Sequence, residues 1–317
     1  MAGILVVAET AGGAISGFSL ELLGAARALS GQGGGAVSAF VASGDAQSLI
    51  THGADTVYTS AAPADALAEV LAPAVEAASA ASTADIVLLA QSSLGRDLGP
   101  MLAFRAKTGV AMDSTGLAMA GGRLRVTRSA YGGNARAEHT WKSALQVVTV
   151  KGKAFDPAEA DAGRSGAVVA VDAIGEARIK VLGVSKPEAA GIKLEDAQIV
   201  VSGGRGLGDP AAFRQLEELA GTLSVAAVGA SRAACDLGWY PPSQQVGLTG
   251  KTVSPNLYIA VAISGASQHM AGMGGSKNIV AINKDGDANM VKVSKFAIVD
   301  DYKKVLPALI AEIKKLA

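Results

Sequence analysis

Leu257 to Asn283, LYIAVAISGASQHMAGMGGSKNIVAIN, is the stretch that decides the fold. Leu257 to Ile263 and Asn278 to Ile282 are almost wholly apolar, with β-branched or small side chains, as expected of strands covered on both faces of a parallel sheet. Between them, Ser264 and Gly265 open a polar turn that offers a hydroxyl and backbone N–H groups at a helix start. Gln268 and His269 follow one short turn later. An anion or a polar ring fits such a place.

Working outward, the rest of the second half alternates in the same way. Ala197 to Ser202, Val225 to Val228 and Phe296 to Val299 read as strands. Ala211 to Leu219, Arg232 to Leu237 and Lys303 to Leu316 read as helices. This is a doubly wound sheet, which takes its ligand outside the carboxyl ends of its strands. The polar motifs of this half all fall at such ends.

The first half predicts a second α/β unit. Strands are expected at Gly3 to Val7, Ala36 to Val41 and Asp85 to Ala90, and helices around Leu20 to Leu29, Ala64 to Ala78 and Leu98 to Ala106. From Leu117 to Val150 the period shortens to two, with turns at Gly121-Gly122 and Gly132-Gly133, so antiparallel or edge strands are expected. Ala167 to Val171 and Arg178 to Val184 complete the expected strands. The polar segment Lys186 to Lys193, with its Pro and Gly, marks a boundary. Two α/β domains follow, residues 1–188 and 194–317: a parallel sheet with added antiparallel strands, then the doubly wound sheet.

Composition narrows the function classes. The chain has 317 residues, half of them apolar, and 39 glycines, enough for two buried cores. The formal net charge of zero, with Lys and Arg scattered, gives no footprint for nucleic acid or an anionic membrane. No apolar run approaches the ~18 residues of a membrane helix, so stable membrane insertion is not expected. The one cysteine, Cys235, excludes an internal disulfide and reads as a small buried hydrophobe. The three histidines, His52, His139 and His269, are too dispersed for a metal site. Met1 runs straight into a strand with no basic or Arg-rich leader, which predicts a bacterial-type cytoplasmic protein. No hydrolase or kinase motif is present.

The motifs admit more than one reading. Gly203 to Gly208, GGRGLG, lies between a strand and a helix, but its spacing does not match the dinucleotide fingerprint. It is either a tight turn or a phosphate site in which Arg205 clamps phosphate or ribose. Ser231 is placed to cap the helix it precedes, to touch a ligand, or both. Arg232 is a surface ion pair or points into the crevice. Gln245 to Lys251, QVGLTGK, lacks the context of a P-loop. His269 ends a polar turn beside Gln268 and is structural or a donor. Asn283 is a turn former or a ligand contact, and Asp301 is a helix-start charge or a ligand contact.

Taken together, the Leu-Tyr strand, the Ile-Ser-Gly turn, the Gln268-His269 pair with Gly272 three residues on, and the Ala-Ile-Asn strand end resemble the signature of the electron-transfer flavoprotein alpha subunit. The likeness extends through Gly229 to Arg232 and Gln245 to Lys251 and, more loosely, over nearly the whole chain. Three positions depart. Ala262 stands where that family more often has Gly, Ser267 where a branched aliphatic is usual, and Leu248 where Gln is usual.

The resemblance implies one FAD in the second domain and a separate beta subunit as partner. A flavoprotein dehydrogenase would be the electron donor, and a quinone reductase or another protein the acceptor. It implies flavin contacts from Arg205, Ser231 and Arg232, from Gln245, Val246, Gly247, Leu248 and Thr249, and from Ser264, Gly265, Ala266, Ser267, Gln268 and His269. Asn283 and Asp301 would hold the adenosine half. Arg232, Thr249 and His269 would tune the redox chemistry, Thr249 towards N5 and His269 as donor to the C2 carbonyl. A member that bifurcates electrons is one alternative within the family. From other classes come an NAD(P)-binding module of transhydrogenase type and a non-redox scaffold keeping an adenine-nucleotide site.

Overall fold

The structure, a computed structural model, describes residues 3–63, 65–131, 135–183 and 192–316. The chain divides into two compact units, one holding residues up to 130 and 135–184, the other residues from 185 onward with 131–134. Most of the expected boundary segment, and the expected turn at Gly132-Gly133, lie outside the described residues.

The first unit is a nine-stranded sheet in the order β11-β5-β4-β1-β6-β10-β7-β8-β9. Its strands are β1 (Gly3–Ala8), β4 (Val37–Val41), β5 (Thr56–Thr59), β6 (Ala84–Ala90), β7 (Val110–Ala120), β8 (Arg123–Ala130), β9 (Ala135–His139), β10 (Gln146–Val150) and β11 (Ala167–Ala170). A small hairpin, β2 (Thr10–Ala11) and β3 (Ala14–Ile15), turns through Gly12 and Gly13 after β1. The helices are α1 (Gly17–Gly31), α2 (Ala46–Thr51), α3 (Ala68–Ala81) and α4 (Ser93–Arg105). β1 is buried along its whole length and pairs in parallel with β4 on one side and β6 on the other. Burial on both faces explains its unbroken apolar sequence. One core cluster sits on each face, around Ile4, Leu22 and Leu88, and around Leu5, Val75 and Leu98.

Two expectations for this unit are corrected. The antiparallel stretch ends with β9, and β10 is not an edge strand: it is buried throughout and runs parallel between β6 and β7. Its apolar run is central because the chain folds back into the gap beyond β6 after making the β7–β9 meander. Nor do residues 178–183 form a strand. There the chain is tied to α3, with the Arg178 N–H donating to Glu69 at 2.7 Å and the guanidinium pairing with the same carboxylate at 3.0 Å. The Arg178 N–H is thereby satisfied by a side chain instead of by a ladder.

The second unit is a six-stranded, all-parallel sheet in the order β14-β13-β12-β15-β16-β17. Its strands are β12 (Ile199–Gly203), β13 (Ala226–Ser231), β14 (Gln245–Val246), β15 (Leu257–Val261), β16 (Ile279–Asn283) and β17 (Phe296–Val299). Helices α5 (Phe213–Gly221), α6 (Arg232–Asp236), α7 (Ser267–Met273), α8 (Asn289–Val293) and α9 (Tyr302–Leu316) accompany them. Again one core cluster lies on each face, around Val201, Leu216 and Leu306, and around Val200, Tyr258 and Met290. The order runs outward from β12 in one direction and from β15 in the other. The two strands therefore flank the switch point, the place where such sheets leave a crevice at their carboxyl ends.

Candidate functional site

A cavity of about 430 Å³ opens at that switch point, within the size range of small-molecule sites. Gly204 and Arg205 enter it from the end of β12, Ser231 and Arg232 from the end of β13, and Ile263, Ser264 and Ala266 from beyond β15. Gln245 to Thr249 and the α7 residues Gln268 and His269 complete the lining with Ala233 and Asp236. Of the residues singled out from sequence, Gly265, Ser267, Asn283 and Asp301 are not in the lining.

The glycines allow close backbone approach. A Cβ on Gly204 would lie 2.1 Å from the Ala262 carbonyl oxygen, so the glycine-rich turn after β12 can lie directly on the chain leaving β15. Its N–H donates to Val261 O at 2.9 Å. Ala262 has φ +53°, a left-handed conformation that glycine adopts without cost and alanine does not. Gly265 has φ +79°, and a Cβ there would meet Met290 N at 2.3 Å. The loop after β14 is joined to α7 in the same manner. A Cβ on Gly272 would fall 2.4 Å from Gly247 N, and Leu248 N donates to Gln268 O at 2.7 Å.

The polar side chains have definite roles. Ser231 caps α6, accepting from Ala234 N at 3.4 Å. Arg232 is exposed on the cavity rim, 3.3 Å from Asp236 one helical turn on, a pair too solvated to hold it firmly. Gln245 Nε2 donates to Thr249 Oγ1 at 2.9 Å, which leaves the Thr249 hydroxyl proton for another acceptor. Asn283 Nδ2 donates to Ile263 O at 2.9 Å and so braces the turn after β15. Asp301, at the start of α9, pairs with Lys284 at 3.0 Å, and the Lys303 N–H, followed by that cation, holds its carboxyl below the usual range.

His269 is buried, and its Nε2 lies 2.9 Å from the Tyr258 hydroxyl. Nδ1 is buried without a hydrogen-bond partner. Burial draws the ring's pKa down to about 4, and the Val246 carbonyl, short of hydrogen-bond geometry, pulls weakly the other way. The imidazole is neutral at pH 7. Sequence reasoning gave Tyr258 no role, because a tyrosine in an apolar strand carries no signal that separates a core residue from a partner to a buried polar group.

Other reactive or charged side chains have structural settings. Cys235 is buried, and burial pushes its thiol up to about 11, which keeps it protonated and unreactive. Tyr240 stacks on Phe213 with centroids 4.5 Å apart. His52 hydrogen-bonds the Ser48 carbonyl of its own helix at 2.6 Å. Lys314 and Lys315 pair with Glu218 and Glu312 on the surface. Among the described residues, no three His, Cys, Asp or Glu side chains group as metal ligands, and no helix is long and apolar enough to cross a membrane.

A parallel sheet with a polar cavity at its switch point defines a nucleotide-cofactor protein in outline, and the comparisons with known proteins make this specific. Residues 4–175 match the electron transfer flavoprotein domain, and residues 193–274 match the electron transfer flavoprotein FAD-binding domain. The electron transfer flavoprotein subunit alpha of Thermoanaerobacterium thermosaccharolyticum is 41% identical, with 99% of this chain and 98% of that protein covered. The subunit alpha of Bacillus subtilis is 37% identical over 99% and 98%. Protein FixB of Clostridium saccharobutylicum is 37% identical over 99% and 97%. The chain belongs to the electron transfer flavoprotein alpha subunit family, and FAD is its cofactor. The cavity fits that group: it has room for a planar ring and gathers several hydroxyl and cationic groups. Its histidine keeps one buried nitrogen unpaired.

Proposed function

We propose that the chain is the FAD-carrying half of an electron carrier and works in the cytoplasm with a beta subunit as partner. It takes electrons from a flavoprotein dehydrogenase and passes them to a quinone reductase or another acceptor. Residues 194–317 form the FAD-binding domain in this reading, and residues 1–188 the domain that meets the beta subunit.

The observation that carries the reading is the convergence of Arg232, Thr249 and His269 on one cavity at the switch point of β12 and β15. FAD supplies the electron transfer when bound, and the chain supplies binding and electrostatics. Arg205 and Ser231 serve the phosphates and ribose. The loop from Gln245 to Thr249 wraps the ring, with the free Thr249 proton offered to N5. Ser264, Ala266, Gln268 and His269 line the pyrimidine side, where reduction places negative charge, and Gly265 and Ser267 shape the turn that carries them. Asn283 and Asp301, at the next strand end and helix start, hold the adenosine half.

Coexpression with a beta subunit tests this. One FAD per heterodimer, reducible by a flavoprotein dehydrogenase, is the expected result. Flavin retained only on an N-terminal fragment after limited proteolysis, or a fully flavinated monomer by light scattering, contradicts it.

A further inference from the structure

Tyr258 is wholly buried in β15, and its hydroxyl reaches across to Nε2 of His269, the third residue of α7. Two protons are shared out in this pair at neutral pH: one on the phenol and one on the ring. If Nε2 held the ring proton, the phenol oxygen would accept it and the phenol proton would need a further acceptor. Ser202, buried on β12, is the hydroxyl that acts on Tyr258, yet its Oγ makes no hydrogen bond of good geometry. If the phenol donates to Nε2 instead, the one hydrogen left over is on Nδ1, where the Val246 carbonyl favours a proton without making a hydrogen bond of good geometry. An unpaired buried donor is costly, and His269 lines the cavity.

We propose that Tyr258 is a positioning residue that fixes His269 as the Nδ1–H tautomer, so the ring presents a hydrogen-bond donor, not an acceptor, to the ligand. This rests on the reading that His269 meets the flavin. It adds to that reading a strand residue outside the cavity lining that decides the sign of the contact. A carbonyl oxygen is matched by Nδ1–H. A bare Nδ1 would repel it, above all when the carbonyl gains negative charge on reduction. Burial keeps the Tyr258 hydroxyl protonated far above neutrality and the imidazole neutral, so neither side of the arrangement titrates between pH 5 and 8.

The test is a two-bond proton–nitrogen correlation spectrum of the FAD-loaded heterodimer labelled with nitrogen-15 histidine, assigned with His269→Ala. The expected spectrum has a protonated Nδ1 and a bare Nε2. In Tyr258→Phe, which keeps the buried ring, the single tautomer should give way to a mixture, and FAD affinity should fall about fivefold, as for one lost hydrogen bond. A proton on Nε2 in the wild-type protein, or an unchanged tautomer in Tyr258→Phe, overturns the inference. If Tyr258→Phe does not assemble, the wild-type spectrum alone decides it. Failure of the underlying reading shows differently: His269→Ala would then bind FAD with unaltered affinity and potential, whichever nitrogen carries the proton.

Discussion

The Tyr258 hydroxyl and His269 Nε2 stand 2.9 Å apart, joining a central strand of the sheet to the helix that borders the cavity. The pair makes the second unit sensitive to acid. In the unfolded chain His269 takes up a proton below about pH 6.5, whereas in the folded chain it resists until about pH 4. Between those values the unfolded state binds more protons, so stability falls as pH falls through this window.

The whole shift is worth roughly 3 kcal/mol, present above about pH 6.5 and lost by about pH 4. Guanidinium unfolding of wild type and His269→Gln at pH 7 and pH 4.5 checks this. The variant should lose markedly less stability between the two. Equal losses would mean that His269 is not protected from protonation.

Gly272 should be intolerant of any side chain. Its hypothetical Cβ lies within 2.8 Å of Gly247 N, Cα and C, all backbone atoms of the loop facing the cavity. Gly272→Ala must push that loop away from α7, with an overpacking cost of about 1–3 kcal/mol and a drop in FAD affinity. Gly221→Ala, where nothing lies within 4 Å, serves as the control: it should leave FAD affinity unchanged and raise stability by up to about 1 kcal/mol, since alanine has less unfolded-state freedom to lose in a helix. Flavin retention on gel filtration and thermal unfolding of the two variants report the contrast.

Ala262→Gly should stabilise. The left-handed backbone at φ +53° costs a residue with a Cβ about 1–2 kcal/mol, and glycine's extra unfolded-state freedom returns about 0.5–1 of that. A net gain of about 0.5–1 kcal/mol in denaturant unfolding is expected. A loss of that size would mean that the Ala262 methyl contributes packing that outweighs the strain.

Much of this fold was legible because doubly covered strands carry their burial in their sequence. β1 and β15 are unbroken apolar runs, as is β16 up to Asn283, and the glycine and polar turns that follow strands in the second unit mark where a ligand crevice opens. What was not legible was non-local. Gln146–Val150 reads much like the hairpin strands before it, and nothing local says that it inserts between β6 and β7. Short elements such as α2 and β5 leave too few residues for a period to register. Residues 178–183 are β-branched in part, yet the chain enters them with the Arg178 N–H bound to Glu69 of α3 instead of to a strand. In the site, Gly204 stands out only as part of the GGRGLG turn, and the lining residues Ala233, Asp236 and Ile263 carry no local signal that sets them apart from ordinary helix and strand residues. Tyr258 went unnoticed because burial hides its partner.

The central claim is that this cavity holds the redox-active ring and that its cation and its histidine stabilise the charge gained on reduction. Spectroelectrochemical titration of the FAD-loaded heterodimer, wild type against Arg232→Ala, Arg232→Lys and His269→Ala, tests it most directly. Both alanine variants should have a lower first reduction potential. A loss of ~1.4 kcal/mol corresponds to ~59 mV for one electron. Arg232→Lys should recover part of the loss, since the charge returns without the planar guanidinium. Potentials within error of wild type in both alanine variants would contradict the account, because neither residue would then act on the flavin.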